Sequence, residues 1–140
     1  MSHGEALLDV LVLDANAIHR KRIARGLAMY ANASHRCAEA AEGLRGLRLF
    51  EERPFDCIVV AESLADISGL ELLSRLAKSH AVVPAIFVAD TADAELEQDA
   101  RARGALAFLS KTRLSAFELT RAVDAVLLET RRRARAHAGD

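Results

Sequence analysis

Little in this 140-residue chain announces chemistry. It has two cysteines, Cys37 and Cys57, at no metal-ligand spacing. Cys57 lies inside an apolar run, where a free thiol reads as a small buried hydrophobe. Of the two prolines, Pro54 separates two periodic segments and Pro84 stands at the start of one, where a missing N–H is tolerated. Net charge is −1, so no global field steers the chain toward nucleic acid, a membrane or an acidic partner. No apolar run approaches the roughly 18 residues that span a bilayer. The N-terminus lacks the basic-then-apolar layout of a signal peptide, so a cytoplasmic protein is expected. The five histidines form no cluster, and no Ser-His-Asp set or glycine-rich phosphate loop stands out. There is no internal repeat and no linker, and only the tail "TRRRARAHAGD" is of low complexity.

Against these absences stands a regular pattern. Hydrophobic residues make up 51% of the chain and charged residues 28%, the balance of one ordinary globular domain. "DVLVLD" is a short run apolar on both faces, as in a central parallel strand. Asn16 then caps a helix to about Tyr30, with Ile23, Leu27 and Tyr30 inward. "HRCAEA" is a weaker strand, suited to a sheet edge. "EGLRGLRLFEER" reads as a helix with Leu44, Leu47 and Phe50 inward. "FDCIVV" is the third strand, and "SGLE" opens the next helix with a capping box, placing Leu70, Leu73, Leu76 and Ala77 inward. "VPAIFVA" is the fourth strand. A polar helix follows and ends at Gly104. "ALAFLS" is the fifth strand, and "SAFE" caps a last helix with Leu119, Val123 and Val126 on one face and Leu127 beside them. Apolar strands alternating with amphipathic helices predict an α/β fold, a parallel five-stranded sheet covered on both sides.

In such sheets ligands bind beyond the carboxyl ends of the strands. The tips carry Asp14, Ala15 and Asn16, then Ala61 and Glu62, then Ala89 and Asp90, and finally Lys111. Over residues 8–130 these positions resemble a receiver domain of the two-component response-regulator family. The resemblance implies a flavodoxin-like (βα)5 three-layer sandwich with strand order 2-1-3-4-5. The family's first strand ends in two acids. Its third ends in a phosphorylatable Asp followed eight residues later by Gly. Its fourth ends in Thr or Ser, and its fifth carries an aromatic and then Lys-Pro.

Carried over by this resemblance, Asp14 matches the first acid and Ala15 falls on the second, a metal ligand. Gly69 sets the register that puts Ala61 on the phosphoacceptor position. Ala89 falls on the switch hydroxyl and Phe108 on the switch aromatic. Lys111 matches the pocket lysine, with Thr112 in place of the proline. Alanine offers no oxygen nucleophile, and Mg²⁺ requires oxygen ligands, usually including carboxylates. The expectation is a stand-alone pseudo-receiver, not an enzyme, with no metal or cofactor. Asp14 and Lys111 should pair across the pocket. Glu62 and Asp66 lie near Ala61, but strand alternation turns Glu62 away. With no hydroxyl at Ala89, Phe108 should be buried.

Function then moves to surfaces. The first helix carries Arg20, Lys21, Arg22 and Arg25, by default a solvated charged face. In the resembled family this helix helps dock sensor kinases, which makes Ile18, Arg20, Arg22 and Arg25, together with Phe108, the interface residues expected. The partner implied is a sensor histidine kinase, a phosphotransfer protein or another signalling protein, with a homodimer left open. Residues 1–130 form the receiver-like domain, and 131–140 an arginine-rich helical extension. Arg131, Arg132, Arg133 and Arg135 suit a helix C-terminus. They also keep open anion binding, as in receiver-like proteins that take cyclic dinucleotides. Residual phosphotransfer at a non-standard site is a third reading. Nucleic-acid binding is not expected, because no reading helix accompanies the four arginines. A flavodoxin would need a hydroxyl-rich phosphate loop, and "DANAIHRKR" is not one.

Overall fold

The computed structural model describes residues 7–29 and 34–138. Five strands alternate with five helices: β1 (Leu7–Leu13), α1 (Ala17–Leu27), β2 (Ser34–Ala40), α2 (Gly43–Glu52), β3 (Cys57–Ala61), α3 (Gly69–Ser79), β4 (Ala85–Ala89), α4 (Ala94–Ala102), β5 (Ala107–Ser110) and α5 (Ala116–Ala138). All strand pairs are parallel, in the order β2-β1-β3-β4-β5. This is the flavodoxin-like arrangement that the alternating pattern predicts.

Strand alternation splits the core into two layers. Leu8, Val10 and Val12 of β1 and Cys57 and Val59 of β3 face α1 and α5, where Ile23, Leu27, Leu119, Val123 and Val126 meet them. Leu11, Leu13, Ile58, Val60 and Phe87 face the opposite way, toward Leu72, Leu73 and Leu76 of α3 and Phe50 of α2. The central strands are covered on both faces, β3 and β4 at every position, while β2 at the sheet edge leaves Arg36 exposed. Strands apolar on both faces fold only where both faces are covered.

The caps follow the sequence closely. Asn16 Oδ1 accepts the His19 amide, Ser68 Oγ that of Glu71, and Ser115 Oγ that of Glu118. Asp93 caps α4 through the amides of Glu95 and Leu96. Gly104 ends that helix at φ +117°, a conformation that disfavours a side chain.

Two inward assignments need correction. Leu44 and Ala77 are exposed. In α2 the face against the sheet is Gly43, Gly46 and Phe50, with Leu47 beside them. A Cβ on Gly46 would stand 2.3 Å from Leu13 Cδ1 and one on Gly43 2.7 Å from Ile67 Cγ1, so Gly46 lets α2 approach β1 and Gly43 lets it approach the loop after β3, and the helix turns Leu44 outward. In α3 the buried stripe is Gly69, Leu72, Leu73 and Leu76, which leaves Ala77 on its edge. Tyr30 lies outside the described residues.

Candidate functional site at the strand tips

The C-terminal ends of β1, β3, β4 and β5 converge on Asp14. Its side chain is 1% exposed, and Lys111 Nζ sits 2.8 Å from Oδ2. The ammonium meets Oδ2 off the hydrogen-bond direction, so the contact is an ion pair, and Oδ2 has no other partner. Oδ1 accepts the Asn16 amide at 2.9 Å. Lys111 is held on its other sides by His19 Nδ1 at 3.0 Å and by the exposed Asp90 carboxylate at 3.7 Å. A lysine ammonium only donates, so His19 presents Nδ1 as a lone pair.

Around this pair the loops are tied to one another. The Ala15 amide donates to the Ser63 carbonyl at 3.2 Å, bridging the loops that follow β1 and β3. Glu62 Oε1 accepts the Asp90 amide at 2.9 Å, bridging β3 to β4. Asp66 does the work of a cap for α2, whose own N-cap residue Glu42 makes no side-chain bond. It accepts the amides of Gly43 and Leu44, at 2.6 and 3.0 Å, and that of Ile67. Its slight burial pulls the Asp66 carboxyl upward, but these donors outweigh it and hold it below the ordinary value.

Ala61 and Ala89 end β3 and β4 fully buried. Gly69 passes so close to the tip of β3 that a Cβ would stand 2.2 Å from the Ala61 carbonyl oxygen. That approach is the physical reason for glycine eight residues after position 61. Ala15 is exposed at the mouth of the site. Phe108 pairs in register with Phe87 and stacks on it, with ring centroids 5.9 Å apart. It is half-buried rather than fully buried as expected. A groove of about 390 Å³ lies between α4 and β5, floored partly by the small Ala92 and Ala94, and it leaves one side of the ring open.

The residues present do not fit a divalent cation. Asp14 is the one carboxylate sunk at the centre, and Lys111 already neutralises it. The nearby Ser63 carbonyl already accepts the Ala15 amide. Among the described residues no group of three or more His, Cys, Asp or Glu side chains is placed to share a metal.

The candidate surface residues separate. Ile18 is 72% exposed, and Arg22 and Arg25 are exposed beside it on α1. Arg20 is not part of that surface: its Nε pairs with Glu39 at 3.2 Å and its Nη1 donates to the Asp14 carbonyl at 2.7 Å. It braces the β1 tip from behind. Arg131, Arg132, Arg133 and Arg135 are exposed on α5, which runs unbroken to Ala138. Arg132 and Arg133 both bond Glu129, at 2.8 and 2.6 Å, and these bonds hold the half-buried Glu129 carboxyl down at about 2.

The response regulator receiver domain model matches residues 10–124. The chain belongs to this family. No curated protein matches the sequence significantly. Among solved structures, a response regulator receiver domain protein from Clostridium thermocellum is 21% identical, with a TM-score of 0.78 over 89% of this chain and 97% of that one. The chemotaxis response regulator CheY4 of Vibrio cholerae is 22% identical at a TM-score of 0.73, covering 87% of this chain and all of that one. NtrX from Brucella abortus is 22% identical at a TM-score of 0.83, where this chain spans 94% of itself but 30% of that protein. At these identities the likeness speaks for the receiver fold. The protein is thus a receiver domain of two-component signalling, and no described helix is long and apolar enough to cross a membrane.

The sequence missed Arg20 and His19 as parts of this receiver's strand-tip region, and it placed Asp66 near Ala61 without its role as the cap of α2. Arg20 stands six residues after Asp14 and one turn into α1, a spacing that could have placed its guanidinium back over the β1 tip. Asp66 caps a helix more than twenty residues upstream, and no local pattern encodes that.

Proposed function

We propose that this receiver does not accept phosphate and works as a protein-interaction module in two-component signalling. The observation that carries this reading is Ala61, a buried methyl at the end of β3 in the register set by Gly69. Neighbouring acids offer no ready substitute, since Glu62 and Asp66 are committed to backbone amides. Ala15 and Ala89 remove the second acid and the hydroxyl, and the Lys111 ammonium is occupied by Asp14. The same arrangement supports a non-enzymatic role, which we propose for the cytoplasm.

The docking surface proposed is α1. Ile18, Arg22 and Arg25 follow one stripe of the helix, and Met29 is 69% exposed just past its end. An apolar anchor beside guanidiniums suits an amphipathic acidic helix on a kinase, a phosphotransfer protein or another signalling protein. Mass spectrometry after incubation with acetyl phosphate and Mg²⁺ tests the first half. An unmodified mass is expected, and a phosphoprotein at any Asp or Glu sinks the proposal. Ile18→Arg tests the second half: affinity for the captured signalling partner should fall at least about tenfold, with acetyl phosphate making no difference.

A second-messenger reading rests on the arginines of α5. It is the weaker one, because Arg132 and Arg133 are already bonded to Glu129. A thermal shift with a cyclic dinucleotide, lost when all four arginines become alanine, would revive it.

A further inference from the structure

At the end of the sheet opposite the strand tips lies a cleft of about 500 Å³. It opens between the C-terminal half of α5 and the loops that enter β3 and β4. Its size falls within the range of small-molecule sites, roughly 300–1,000 Å³. Phe50, Phe55, Pro84 and Leu127 give it apolar walls. Phe50 and Phe55 stack with their planes 11° apart, and the His80 ring meets Phe50 edge-on at 4.9 Å. The lining is therefore aromatic and flat rather than simply greasy.

Three polar features give the cleft a direction. His80 Nε2 is buried without a hydrogen-bond partner. A buried polar atom left unpaired is costly, so it marks a place where a partner would be welcome. Arg131 lines the cleft, is exposed, and makes no ion pair among the described residues. Its chain neighbours differ, since Arg132 and Arg133 serve Glu129; Arg53, ahead of the Phe55 wall, serves Asp9. Asp56 is the acid of the lining, and its Oδ2 accepts the Asp9 amide at 2.8 Å.

We propose that this cleft binds a small planar aromatic carboxylate. The faces of Phe55 are taken by Phe50 and by the Arg53 guanidinium, 4.4 Å from its centroid, so the ligand ring lies against the edges of the Phe50, Phe55 and Pro84 wall, and the carboxylate forks onto the Arg131 guanidinium. A ring N–H or hydroxyl reaches His80 Nε2 after a small turn of the imidazole. The cleft is separate from the Ala61 region, so this inference stands whether or not the receiver accepts phosphate. It also differs from anion capture by the arginine row, because it uses one arginine and an apolar wall.

Titration of the ¹⁵N-labelled protein with benzoate, indole-3-carboxylate and 4-hydroxybenzoate, followed by amide shifts, tests the assignment. At least one should give saturable shifts at Phe55, Asp56, His80, Val82 and Arg131, with a Kd of about 1 mM for so small a probe. Indole-3-carboxamide and acetate, each lacking half of the recognised chemistry, should bind at least about tenfold more weakly. Arg131→Ala should weaken the carboxylate by a similar factor, while Arg133→Ala should leave it unchanged. Val82→Trp should block the cleft; if that variant fails to fold, Arg131→Ala decides. The proposal is overturned if no carboxylate saturates, if the shifts cluster elsewhere, or if the carboxamide binds equally well.

Discussion

Replacing Lys111 with methionine should damage the fold, although Lys111 lies in a region that a phosphorylatable receiver would keep for its incoming phosphoryl group. The carboxylate it faces is 1% exposed, and the lysine side chain is 13% exposed. Removing one member of a buried pair leaves a charge with neither water nor partner, which costs about 3–5 kcal/mol. Lys111 keeps some water, so the lower end, about 3 kcal/mol, is expected. The Asn16 amide still reaches Oδ1 and does not replace the lost cation. Asp90, 3.7 Å from the ammonium and 55% exposed, adds little. For a domain of this length about 3 kcal/mol corresponds to a fall of about 10 °C in Tm. With a urea m-value of about 1.5 kcal/mol/M it is also a drop of about 2 M in midpoint.

Asp14→Asn combined with Lys111→Met removes both charges and should recover most of that loss. Equilibrium urea unfolding of wild type, both single variants and the double gives the coupling directly. A Lys111→Met variant that loses under about 1 kcal/mol, or a double variant no better than the single, would refute the structural role of the pair.

Gly69→Ala should destabilise by about 2–3 kcal/mol, because the new methyl drives into the backbone of Ala61. Helix propensity alone favours alanine by about 1 kcal/mol, so a rise in Tm would show that the close approach does not matter. Neither thiol should react readily at pH 8. Burial pushes Cys37 up to about 11 and the enclosed Cys57 up to about 12. Thiol titration with a disulfide reagent should run at least about 200-fold slower on the native protein than in urea, and a fast phase would contradict the burial. The Glu129 carboxyl, depressed to about 2 by Arg132 and Arg133, contributes stability that is complete above its ordinary value near 4.5 and lost as pH falls through about 2. Side-chain carbon shifts should therefore titrate near 2, with amide protection at the end of α5 declining over the same window; a midpoint near 4.5 would mean that the arginine contacts do not persist in solution.

The parts of this molecule readable in advance are those governed by short-range rules. Val10 to Leu13, apolar on both faces, led to a central parallel strand, and Ser68 and Ser115 led to capped helices. Harder features arise where elements distant in sequence meet. Gly46 looks neutral in sequence, yet it decides how α2 rolls, because Leu13 occupies the space a side chain would need. Arg20 looks like one more surface cation until Glu39 and the Asp14 carbonyl draw it inward. The lack of a hydroxyl at Ala89 predicts that Phe108 sinks fully. Its neighbour Phe87 does draw it in, but the groove beneath α4 leaves its other side open.

At the strand tips each loop is pinned to another: Ala15 to Ser63, Glu62 to Asp90, Asp66 to α2, and Lys111 to Asp14 and His19. This ring of bonds has a consequence for recognition. Ordering a loop during association consumes binding free energy, and here that ordering is already done on folding. A partner that reads this rim meets a rigid template. Its association is then limited by orientation and diffusion rather than by a change of shape, and the cost of ordering these loops no longer subtracts from its affinity.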